Sequence, residues 1–579
     1  MIGPRKLLFA MIFILAVAGP SAVAATASAN DIYFAQNAQG ANNGQDCADA
    51  YAYNDGTNGI NKAANWAPGN TLHICGTISA PAGTNLITCQ ASGSSSGPIT
   101  IKWESGAILQ EPYFGTGGSA GINLTGCNYI TLDGGNTGVA SLPTSSQAYN
   151  TGGVIQAYAN GTSGTSACPG ASSTGTAACT YQTNPTTLIQ AANSNNLTVE
   201  NLVIGPAYVV TATDGNNGAP GAAGIYFQGS NVTITNNQFH DDGIGIDNTS
   251  YGTASNTVIS NNDFQEQGWA LGCAGATGVN ANYQFYGNHL HNFDRWTLTP
   301  AHVNGIHCYD LGQGSAGGIS SFYLYNNLFD GNMGSCCWTA WAYFEADGPG
   351  QNWVANTGAL YAFNNVFVAP SNCCLNGNGL LNYGGGQGHM ILNNYFYGTQ
   401  AQGGPCIDFT GSGPGQTIEN NVFENCGQVI AGTTFDGNPA PAWVTWDYNI
   451  YANISSGNTA WAVNSINTNS LSTWQSGCGC DAHSNAQMGS LLADITNEGV
   501  PSAGYMGIAQ GANLTNIASG NLAALDYDTS AGNARTPVQR PGGTCSTQGT
   551  TSCWDIGGYQ LASGDPPPAA PAGLKAVVQ

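Results

Sequence analysis

The chain has 579 residues, of which only 7% are charged, and it carries a formal net charge of −23 at pH 7. Nucleic acids and anionic membranes are bound through basic surfaces, so this composition excludes both as partners. The length would accommodate several domains, but repeat solenoids commonly exceed the usual domain size as a single body.

Residues 1–29 have the features of a signal peptide. Arg5 and Lys6 precede an apolar run from Leu7 to Ala18, and small residues suitable for cleavage follow up to Ala29. The run is too short for a membrane span, and no later segment approaches the roughly 20 apolar residues that a spanning helix requires. The sequence therefore predicts a secreted, extracellular protein without a membrane span.

The 18 cysteines all follow this signal. An even number of cysteines in an exported chain favours disulfides. The pairs Cys336-Cys337 and Cys373-Cys374 are 37 residues apart, which is close to the local repeat length and would place them on neighbouring coils. Metal binding is the alternative, but no C-x-x-C is matched by a second C-x-x-C or by H-x-x-x-H.

A short motif, usually an asparagine pair followed by any residue and then an aromatic or aliphatic one, recurs through the middle of the chain. The copies begin at Asn236 (NNQF), Asn261 (NNDF), Gly287 (GNHL), Asn326 (NNLF), Asn364 (NNVF), Asn393 (NNYF), Asn420 (NNVF) and Tyr448 (YNIY). Their second residues are 25 to 39 positions apart, so the variation must lie in loops. A variable period of this size, with short strands and turns, predicts a solenoid.

Apolar and polar residues alternate within each repeat. Val232 and Ile234 face one side, Thr233 and Thr235 face the other, and Phe239 faces inward again after the asparagine turn. Stacked coils would place each Phe on the next Phe, and the turn asparagines would form an amide ladder. Long amphipathic helices are excluded, because the chain contains 82 glycines and lacks helical periodicity.

The motif N-x-x-I-x-N-N-x-F…G-I, found from about Asn196 to Asn453, resembles the secreted right-handed parallel β-helix proteins, such as pectate lyases and polygalacturonases. The segment from Asp31 to Ile78 resembles their opening strand and capping helix, and CWDIGGYQ from Cys553 resembles their closing strand. The resemblance implies an all-β fold. The expected organisation is a signal peptide (1–29), an N-terminal cap and first coils (30–126), the β-helix (127–460), C-terminal coils and cap (461–565) and a flexible tail (566–579).

The motifs of the enzymes in that superfamily are incomplete here. Of the linked polygalacturonase motifs only the acidic pair Asp241-Asp242 matches, and a paired acid in a turn is commonly structural. A pectate lyase needs Ca²⁺ and a basic residue, and Arg295 is the only Lys or Arg between Lys102 and Arg535. The sequence predicts no cofactor and no metal ligand set, and no specific motif supports Ca²⁺.

A candidate site follows from placing the second long strand of each repeat in register. Strict alternation predicts one outward stripe, composed of Gly245, Asp247, Ala270, His307, Tyr309, Trp341, Tyr343, Glu345 and Asp408. Two coils would separate Glu345 from Asp408 by about 10 Å, close to the spacing of an inverting glycosidase pair. Glu345, Asp408 and His307 are therefore the predicted catalytic residues. The predicted substrate-binding residues are Trp341, Tyr343, Tyr309, Asp247 and Arg295.

The longest spacings between successive motifs fall near these residues and support the same location for the site. Histidines and acids crowd between His289 and Asp347, in a chain that has few ionisable groups elsewhere, and long loops on a rigid scaffold commonly carry binding residues. The sequence thus predicts a protein that binds and cleaves extracellular polysaccharide, most simply as a glycoside hydrolase. The alternatives are a non-catalytic adhesive or matrix protein and a Ca²⁺-dependent polysaccharide lyase. The substrate, the linkage and the oligomeric state are left open.

Overall fold

The repeats form the coils of a right-handed parallel β-helix, with three strands in a complete coil. We call the three strand stacks face 1, face 2 and face 3, in the order in which the chain passes through them. The computed structural model describes residues 30–135, 153–158, 186–207, 222–249, 255–274, 280–293, 303–309, 318–333, 340–345, 358–370, 379–383, 386–398, 405–409, 415–432, 444–454, 459–463, 466–487, 491, 493–494, 500–501, 505–529, 537–542 and 553–560.

Face 1 is a sheet of 14 strands. Its strands are Asp31–Ala35, Tyr51–Ala52, Thr71–Ile74, Ile99–Trp103, Ile130–Asp133, Leu197–Glu200, Val232–Thr235, Thr257–Ser260, Asn280–Tyr286, Gly318–Tyr325, Ala359–Phe363, Met390–Leu392, Gln416–Glu419 and Val444–Asp447.

Faces 2 and 3 are joined into one sheet by the strands Gln238–Asn248 and Asp263–Ala274, which run through both faces. The other strands of face 2 are Thr77–Ser79, Ile108–Glu111, Gly153–Ala157, Leu202–Ile204, His289–Phe293, Leu328–Met333, Val366–Val368, Tyr395–Tyr397, Val422–Glu424, Ile450–Ala452 and Asn485–Gln487. Those of face 3 are Ile87–Thr88, Ile122–Asn123, Thr186–Ala191, Ala222–Phe227, Asn304–Tyr309, Ala340–Glu345, Leu380–Tyr383, Pro405–Asp408, Gln428–Gly432 and Trp461–Val463.

The remaining elements are short. Ile466–Thr468 pairs antiparallel with the last strand of face 3, and Ala493–Asp494 pairs antiparallel with Val500–Pro501. The described residues contain one α-helix, Leu471–Cys478, which Ser470 caps by accepting a hydrogen bond from the Thr473 amide. The 3-10 helices within the described ranges are Cys47–Asp49, Ala63–Asn65, Gly117–Ser119 and Gly520–Asp526. Among the described residues, no helix is long and apolar enough to cross a membrane.

The second asparagine of each motif forms a buried ladder along the corner between faces 1 and 2, as the sequence predicts. Asn365 illustrates the pattern: its Nδ2 donates to Asn394 Oδ1 at 2.9 Å and to the Leu324 carbonyl at 2.8 Å, while its Oδ1 accepts from the amide and the side chain of Asn327. The same bonds link the ladder members Asn237, Asn262, Asn288, Asn327, Asn365, Asn394, Asn421 and Asn449. Each coil is therefore held in register with the next by fully satisfied amides.

The first residue of each motif makes the turn itself. Asn236, Asn326 and Asn420 have φ values of 57°, 55° and 60°, in the left-handed region where asparagine is tolerated better than most residues. Gly287 occupies the same position in its coil, with φ 66°. The motif thus separates two tasks, since the first residue bends the chain and the second joins the ladder.

Aromatic stacking inside the coils confirms the other part of the repeat prediction. Phe239 stacks on Phe264 with ring centroids 4.7 Å apart, and Phe329, Phe367, Phe396 and Phe423 continue the column at 4.5, 4.9 and 5.2 Å. These rings are at most 1% exposed and belong to one core that runs through the stack. Burial of this apolar surface is the main stabilising contribution to the fold.

Both ends of the chain differ from the predicted caps. The segment Asp31 to Ile78 forms face-1 strands and two 3-10 helices and contains no α-helix, because Gly and Asn interrupt any helical run. The C-terminal CWDIGGYQ segment does not add a closing strand, and apart from a bridge between Gly511 and Trp554 it consists of bends and irregular chain. It instead turns back along the outside of the solenoid.

This C-terminal segment, residues 505–529, 537–542 and 553–560, packs on the outer sides of faces 1 and 2. Tyr505, Ile556 and Tyr559 cover the face-2 column that contains Leu328, Val366, Tyr395, Val422 and Ile450. Leu514, Leu525 and Trp554 cover the face-1 column of Tyr325, Phe363 and Leu392. Coils that would otherwise expose apolar outer columns are therefore covered by their own chain.

Arg540 anchors the segment. Its guanidinium is 1% exposed, donates to the carbonyls of Asp555, Gly557 and Gly558 and to Asn364 Oδ1, and lies 5.2 Å from the centre of the Trp554 ring. A buried cation is tolerated here because several carbonyl oxygens accept its protons.

The predicted disulfides are confirmed for the described cysteines. Five bonds join Cys47 to Cys75, Cys89 to Cys127, Cys273 to Cys308, Cys406 to Cys426 and Cys478 to Cys480. The expected neighbours Cys336-Cys337 and Cys373-Cys374 lie outside the described residues. Disulfides fit an extracellular, oxidising location, whereas the predicted signal peptide (1–29) also lies outside the described residues.

Removing one ladder amide tests the role of the ladder. We expect Asn365→Ala to lower the free energy of unfolding by about 2–4 kcal/mol, since it leaves a buried amide, a side chain and a carbonyl without partners. Denaturant unfolding followed by circular dichroism would measure the change. The matched control is Asn256→Gly, at an exposed turn with φ 55° where glycine is tolerated. Equal losses for the two variants would contradict the assignment.

Several buried carboxyls make stability depend on pH. Burial raises the pKa of Glu111 to about 7, that of Asp481 to about 7, and, together with the nearby Asp447 charge, that of Glu419 to about 7. Burial and the neighbouring Asp241 charge also raise the pKa of Asp242 well above its ordinary value. A carboxyl whose pKa is raised on folding holds its proton more tightly in the folded state, so stability falls as pH rises from about 4 through 7.

We therefore expect a higher melting temperature at pH 5 than at pH 8. Glu419→Gln removes one of the responsible groups and should reduce this difference by about 1–2 kcal/mol in unfolding free energy. Thermal unfolding of both proteins at the two pH values measures the effect, and a variant with the full pH dependence of the parent would contradict it.

Candidate functional site: the outer side of face 3

The outer side of face 3 carries one continuous column of residues in backbone register. From N- to C-terminal coils the column is Asn123, Gln190, Tyr226, Asp247, Gly272, His307, Tyr343, Leu381, Asp408 and Ala431. Adjacent members are separated by the strand spacing of about 4.8 Å. The predicted residues Asp247, His307, Tyr343 and Asp408 therefore share one column, although intervening coils separate most of them.

A second column lies two residues further along the strands. Tyr309 pairs with Glu345, and Glu345 pairs with Tyr383. Glu345 is thus one coil from His307 and two coils from Asp408, as expected, but it is displaced by one column from both. The distance of two coils and the shift of one column together give a Cα separation of about 12 Å between Glu345 and Asp408, rather than the expected 10 Å.

Three residues of the predicted stripe face the interior instead. Gly245, Ala270 and Trp341 occupy one register position, which also contains Gly305. Ala270 and Trp341 are fully buried in the core, and a Cβ on Gly245 would lie 3.4 Å from the Phe264 ring. Two consecutive residues, such as Trp341 and Ala342, both belong to the core at this position. Strict alternation therefore fails there, and the expectation that Trp341 faces outward was wrong.

Trp341 instead fills the core. Its ring lies 6.0 Å from Phe293 and 6.0 Å from Phe329 between ring centres, and its Nε1 donates to the Val368 carbonyl at 2.7 Å.

His307 lies at the centre of an aromatic cluster on the outer side of face 3. Its ring is 4.4 Å from Trp269, 4.5 Å from Tyr309 and 4.6 Å from Tyr343 between ring centres. Asn304 Nδ2 lies 3.4 Å from His307 Nδ1. Gly272 makes this arrangement possible, since a Cβ there would lie 3.3 Å from the indole of Trp269. Trp269 was not predicted to belong to this cluster, because strict alternation placed its neighbour Ala270 outward instead.

The cluster is closely covered in this structure. His307 is 1% exposed, Tyr343 6% and Asp408 6%, whereas Tyr309 is half-buried. The side chain of Glu345 and all of Arg295 lie outside the described part of the chain.

A pocket opens on face 3 next to Asp247. It has a volume of about 290 Å³ and is lined by Thr116, Gly117, Thr187, Gln190, Ala222, Ala223, Tyr226, Ile244 and Asp247. Burial raises the pKa of Asp247, although hydrogen bonds from the Thr249 amide and hydroxyl to Oδ1 oppose the rise. The pocket thus combines a carboxyl, an amide, a phenol and two threonines with apolar residues, as small-ligand sites commonly do.

A separate group of ionisable side chains lies on the outer side of face 2. His291 Nε2 is 2.9 Å from Asp263 Oδ1, His289 Nδ1 is 3.6 Å from the same oxygen, and His289 Nε2 is 2.8 Å from Asp330 Oδ1. Asp263, His289 and His291 could hold a metal ion, because one ligand atom from each lies within 4.8 Å of the others. The signal in the sequence is H-x-H within a strand, which places both histidines on one side of the sheet.

The acidic pair Asp241-Asp242 belongs to the scaffold. Asp241 has φ 55° at the bend between faces 2 and 3, where Glu266 and Asn292 in the next coils have φ values of 52° and 53°. Asp242 is fully buried and accepts a hydrogen bond from the Ala207 amide at 3.1 Å.

Fold and register together define the class: the chain is a right-handed parallel β-helix protein with a polar and aromatic column on one face. Residues 167–347 match the family described as "Right handed beta helix region". No curated protein sequence matches the chain significantly.

Solved structures with a similar arrangement include enzymes and an adhesin. The pectate lyase Pel9A is 13% identical, with 92% of this chain and 97% of that chain covered and a TM-score of 0.39. The GH136 lacto-N-biosidase from Eubacterium ramulus is 14% identical, with 72% and 67% covered and a TM-score of 0.33. PfbA, a surface adhesin of Streptococcus pneumoniae, is 12% identical, with 68% and 84% covered and a TM-score of 0.37. None is similar enough for its activity to be transferred to this chain.

The core position of Trp341 makes a specific prediction. Trp341→Ala should lower the free energy of unfolding by about 3–5 kcal/mol, because it removes a buried indole and its hydrogen bond. The control is Tyr158→Ala, at a side chain that is 44% exposed, and it should change stability by less than about 0.5 kcal/mol. Denaturant titration of both variants measures this, and a Trp341 variant as stable as the control would place the indole on the surface.

Proposed function

We propose that the protein binds extracellular polysaccharide along the outer side of face 3 and cleaves it by glycoside hydrolysis, with Glu345 and Asp408 as the paired carboxylates. The observation that carries the proposal is the face-3 column, in which amide, phenol, carboxyl and imidazole groups repeat at the strand spacing. In the coils from Tyr343 to Ala431 of this column, the outer columns of faces 1 and 2 are largely apolar and are covered by the C-terminal segment. Face 3 is therefore the side whose chemistry suits a long polar ligand.

The aromatic residues account for sugar binding in this proposal. Tyr309 and Tyr343 present faces on which a sugar ring can stack, and their hydroxyls can hydrogen-bond to its rim. Asp247 and Tyr226 would hold a neighbouring sugar in the 290 Å³ pocket. His307, held between Trp269, Tyr309 and Tyr343, would donate or accept a proton at a sugar hydroxyl. Arg295, predicted to contact substrate, remains part of this proposal on sequence grounds.

We propose that the hydrolysis proceeds with inversion, on the basis of the backbone spacing of the two residues. Cα atoms about 12 Å apart are compatible with carboxyl groups about 6.5–9.5 Å apart, which leaves room for water between one carboxylate and the sugar. One carboxylic acid would protonate the leaving oxygen while the other carboxylate activates that water. The net charge of −23 favours a neutral or weakly charged glycan, because a polyuronate would be repelled.

A second candidate is a glycan-binding protein without catalysis, such as an adhesive or matrix protein. The observation that favours it is the close covering of His307 and Asp408, whose exposed fractions are 1% and 6%. A Ca²⁺-dependent lyase is the third candidate, and it would rest on Arg295 as the base.

Activity measurements separate these candidates. The mature protein is incubated with a panel of polysaccharides at acidic and neutral pH, with and without Ca²⁺, and reducing ends and unsaturated uronates are measured separately. We expect new reducing ends without unsaturation, and a loss of about 10²-fold or more in kcat for Glu345→Gln and for Asp408→Asn. The matched control, Glu200→Gln on face 1, should retain the parent activity.

Three outcomes would contradict the hydrolase. Unsaturated products would establish a lyase, and full activity in both face-3 variants would move the site elsewhere. Retention on a glycan without any product would establish the binding protein. In that case Tyr226→Ala should weaken retention, since it removes the phenol from the pocket.

A further inference from the structure

The group on the outer side of face 2 is unusual because three ionisable side chains are buried together. Asp263, His289 and His291 are 2%, 4% and 3% exposed. Asp263 is in register with His289, and His291 is in register with Asp330 in the following coil, so the group spans three successive coils. It lies outside the face-3 column and outside the proposed hydrolase site.

Hydrogen bonding determines which nitrogen of His289 carries a proton. Nε2 lies 2.8 Å from Asp330 Oδ1, and a carboxylate accepts only, so Nε2 carries the hydrogen. In the neutral ring, Nδ1 then presents a lone pair. Nδ1 is buried, has no hydrogen-bond partner and lies 3.6 Å from Asp263 Oδ1.

His289 Nδ1 and Asp263 Oδ1 are too far apart for a hydrogen bond. Their separation of 3.6 Å is longer than the roughly 2.7–3.2 Å of an N–H···O hydrogen bond. Two lone pairs that face each other in a buried site are stabilised by a cation between them. The distance suits one, because ligand atoms bound about 2.1 Å from a common ion are about 3.0–3.5 Å apart.

We propose that Asp263 Oδ1, His289 Nδ1 and His291 Nε2 bind one divalent transition metal ion, with Zn²⁺ as the best match. Two imidazole nitrogens with one carboxylate oxygen favour zinc and its neighbours in the transition series over Ca²⁺ or Mg²⁺, which prefer oxygen ligands. Asp330 is the positioning residue. Its carboxylate holds Nε2–H and directs Nδ1 at the ion, as carboxylates that bond to metal-binding histidines commonly do.

The ion would connect coils on the outside of the solenoid. Asp263 lies in one coil and both histidines in the next, so coordination adds a link between coils beyond the backbone ladder. The position matters because Leu328, the residue in register with His289 in the following coil, begins the apolar column under the C-terminal segment. The proposed ion therefore marks the coil at which covering by the C-terminal segment ends.

Metal content and thermal stability test the site directly. The chain without a polyhistidine tag is stripped with a chelator and mixed with one equivalent of ZnCl₂, and then excess metal is removed by gel filtration. We expect about one zinc per chain by elemental analysis and a higher melting temperature, because binding to the folded state alone stabilises it. His289→Gln and Asp263→Asn should each lose the zinc and the shift.

The matched control is His240→Gln. His240 is also next to an acid, with Nδ1 3.0 Å from Asp241 Oδ2, but it lies outside the group. It should retain one zinc per chain. Zinc retained by His289→Gln, or lost equally by His240→Gln, would overturn the assignment, as would a stripped parent chain that binds no zinc at micromolar concentration.

Asp330→Asn tests the metal site even if the ligand variants fail to fold. It leaves all three ligands in place and should weaken zinc binding by about 10- to 100-fold in a competition titration with a chromogenic chelator. Visible absorption of the Co²⁺-substituted parent supplies a further readout, since bands of a nitrogen- and oxygen-bound ion appear only if cobalt enters the site. Unchanged affinity in Asp330→Asn would overturn the positioning role, and a Co²⁺ spectrum identical to the free ion would overturn the site.

Discussion

The amide ladder of the second motif asparagines is the interaction on which the rest of the structure depends. Parallel strands in short coils can slip along one another, and a slip of one residue would exchange inward and outward side chains. Each ladder asparagine bonds to the backbone of one neighbouring coil and to the side chain of the other, so its geometry is satisfied in a single register. The outer columns on all three faces follow from that register.

The strand register brings functional groups that are few and far apart in sequence close together on the outer faces. The chain contains 31 acidic residues, eight Lys and Arg, and eight histidines spread over 579 positions. Stacking places Asp247, His307 and Asp408 in one column although they are far apart in sequence, and it places Asp263, His289 and His291 together on another face. The C-terminal segment adds an asymmetry, because it covers the apolar columns of faces 1 and 2. Face 3 keeps its polar and aromatic column.

Much of this arrangement could be predicted from sequence, and the failures have a common physical origin. The period-two pattern and the repeated asparagines predict the fold, the phenylalanine stack and the ladder, since these depend on local alternation. The orientation of Trp341 was wrongly predicted because two consecutive residues, Trp341 and Ala342, face the core, which an alternating pattern does not anticipate. The expected position of Glu345 differs from the observed one by one column, because the variable loop lengths prevent the strand register from being read from the sequence. The docking of the C-terminal segment could not be predicted, since it depends on contacts far apart in sequence.

The docking of the C-terminal segment changes how the stack of coils can unfold. A solenoid whose coils touch only their neighbours can lose coils one at a time from its end. Here Asn364 donates to the carbonyls of Ala524 and Tyr527, and Asn420 exchanges two hydrogen bonds with Ala512, so residues near the C-terminus hold coils in the interior of the stack. Fraying from this end must first detach the segment, which couples several coils into one cooperative unit. Because the segment follows those coils in the chain, it is synthesised after them, and it can dock only once they have stacked.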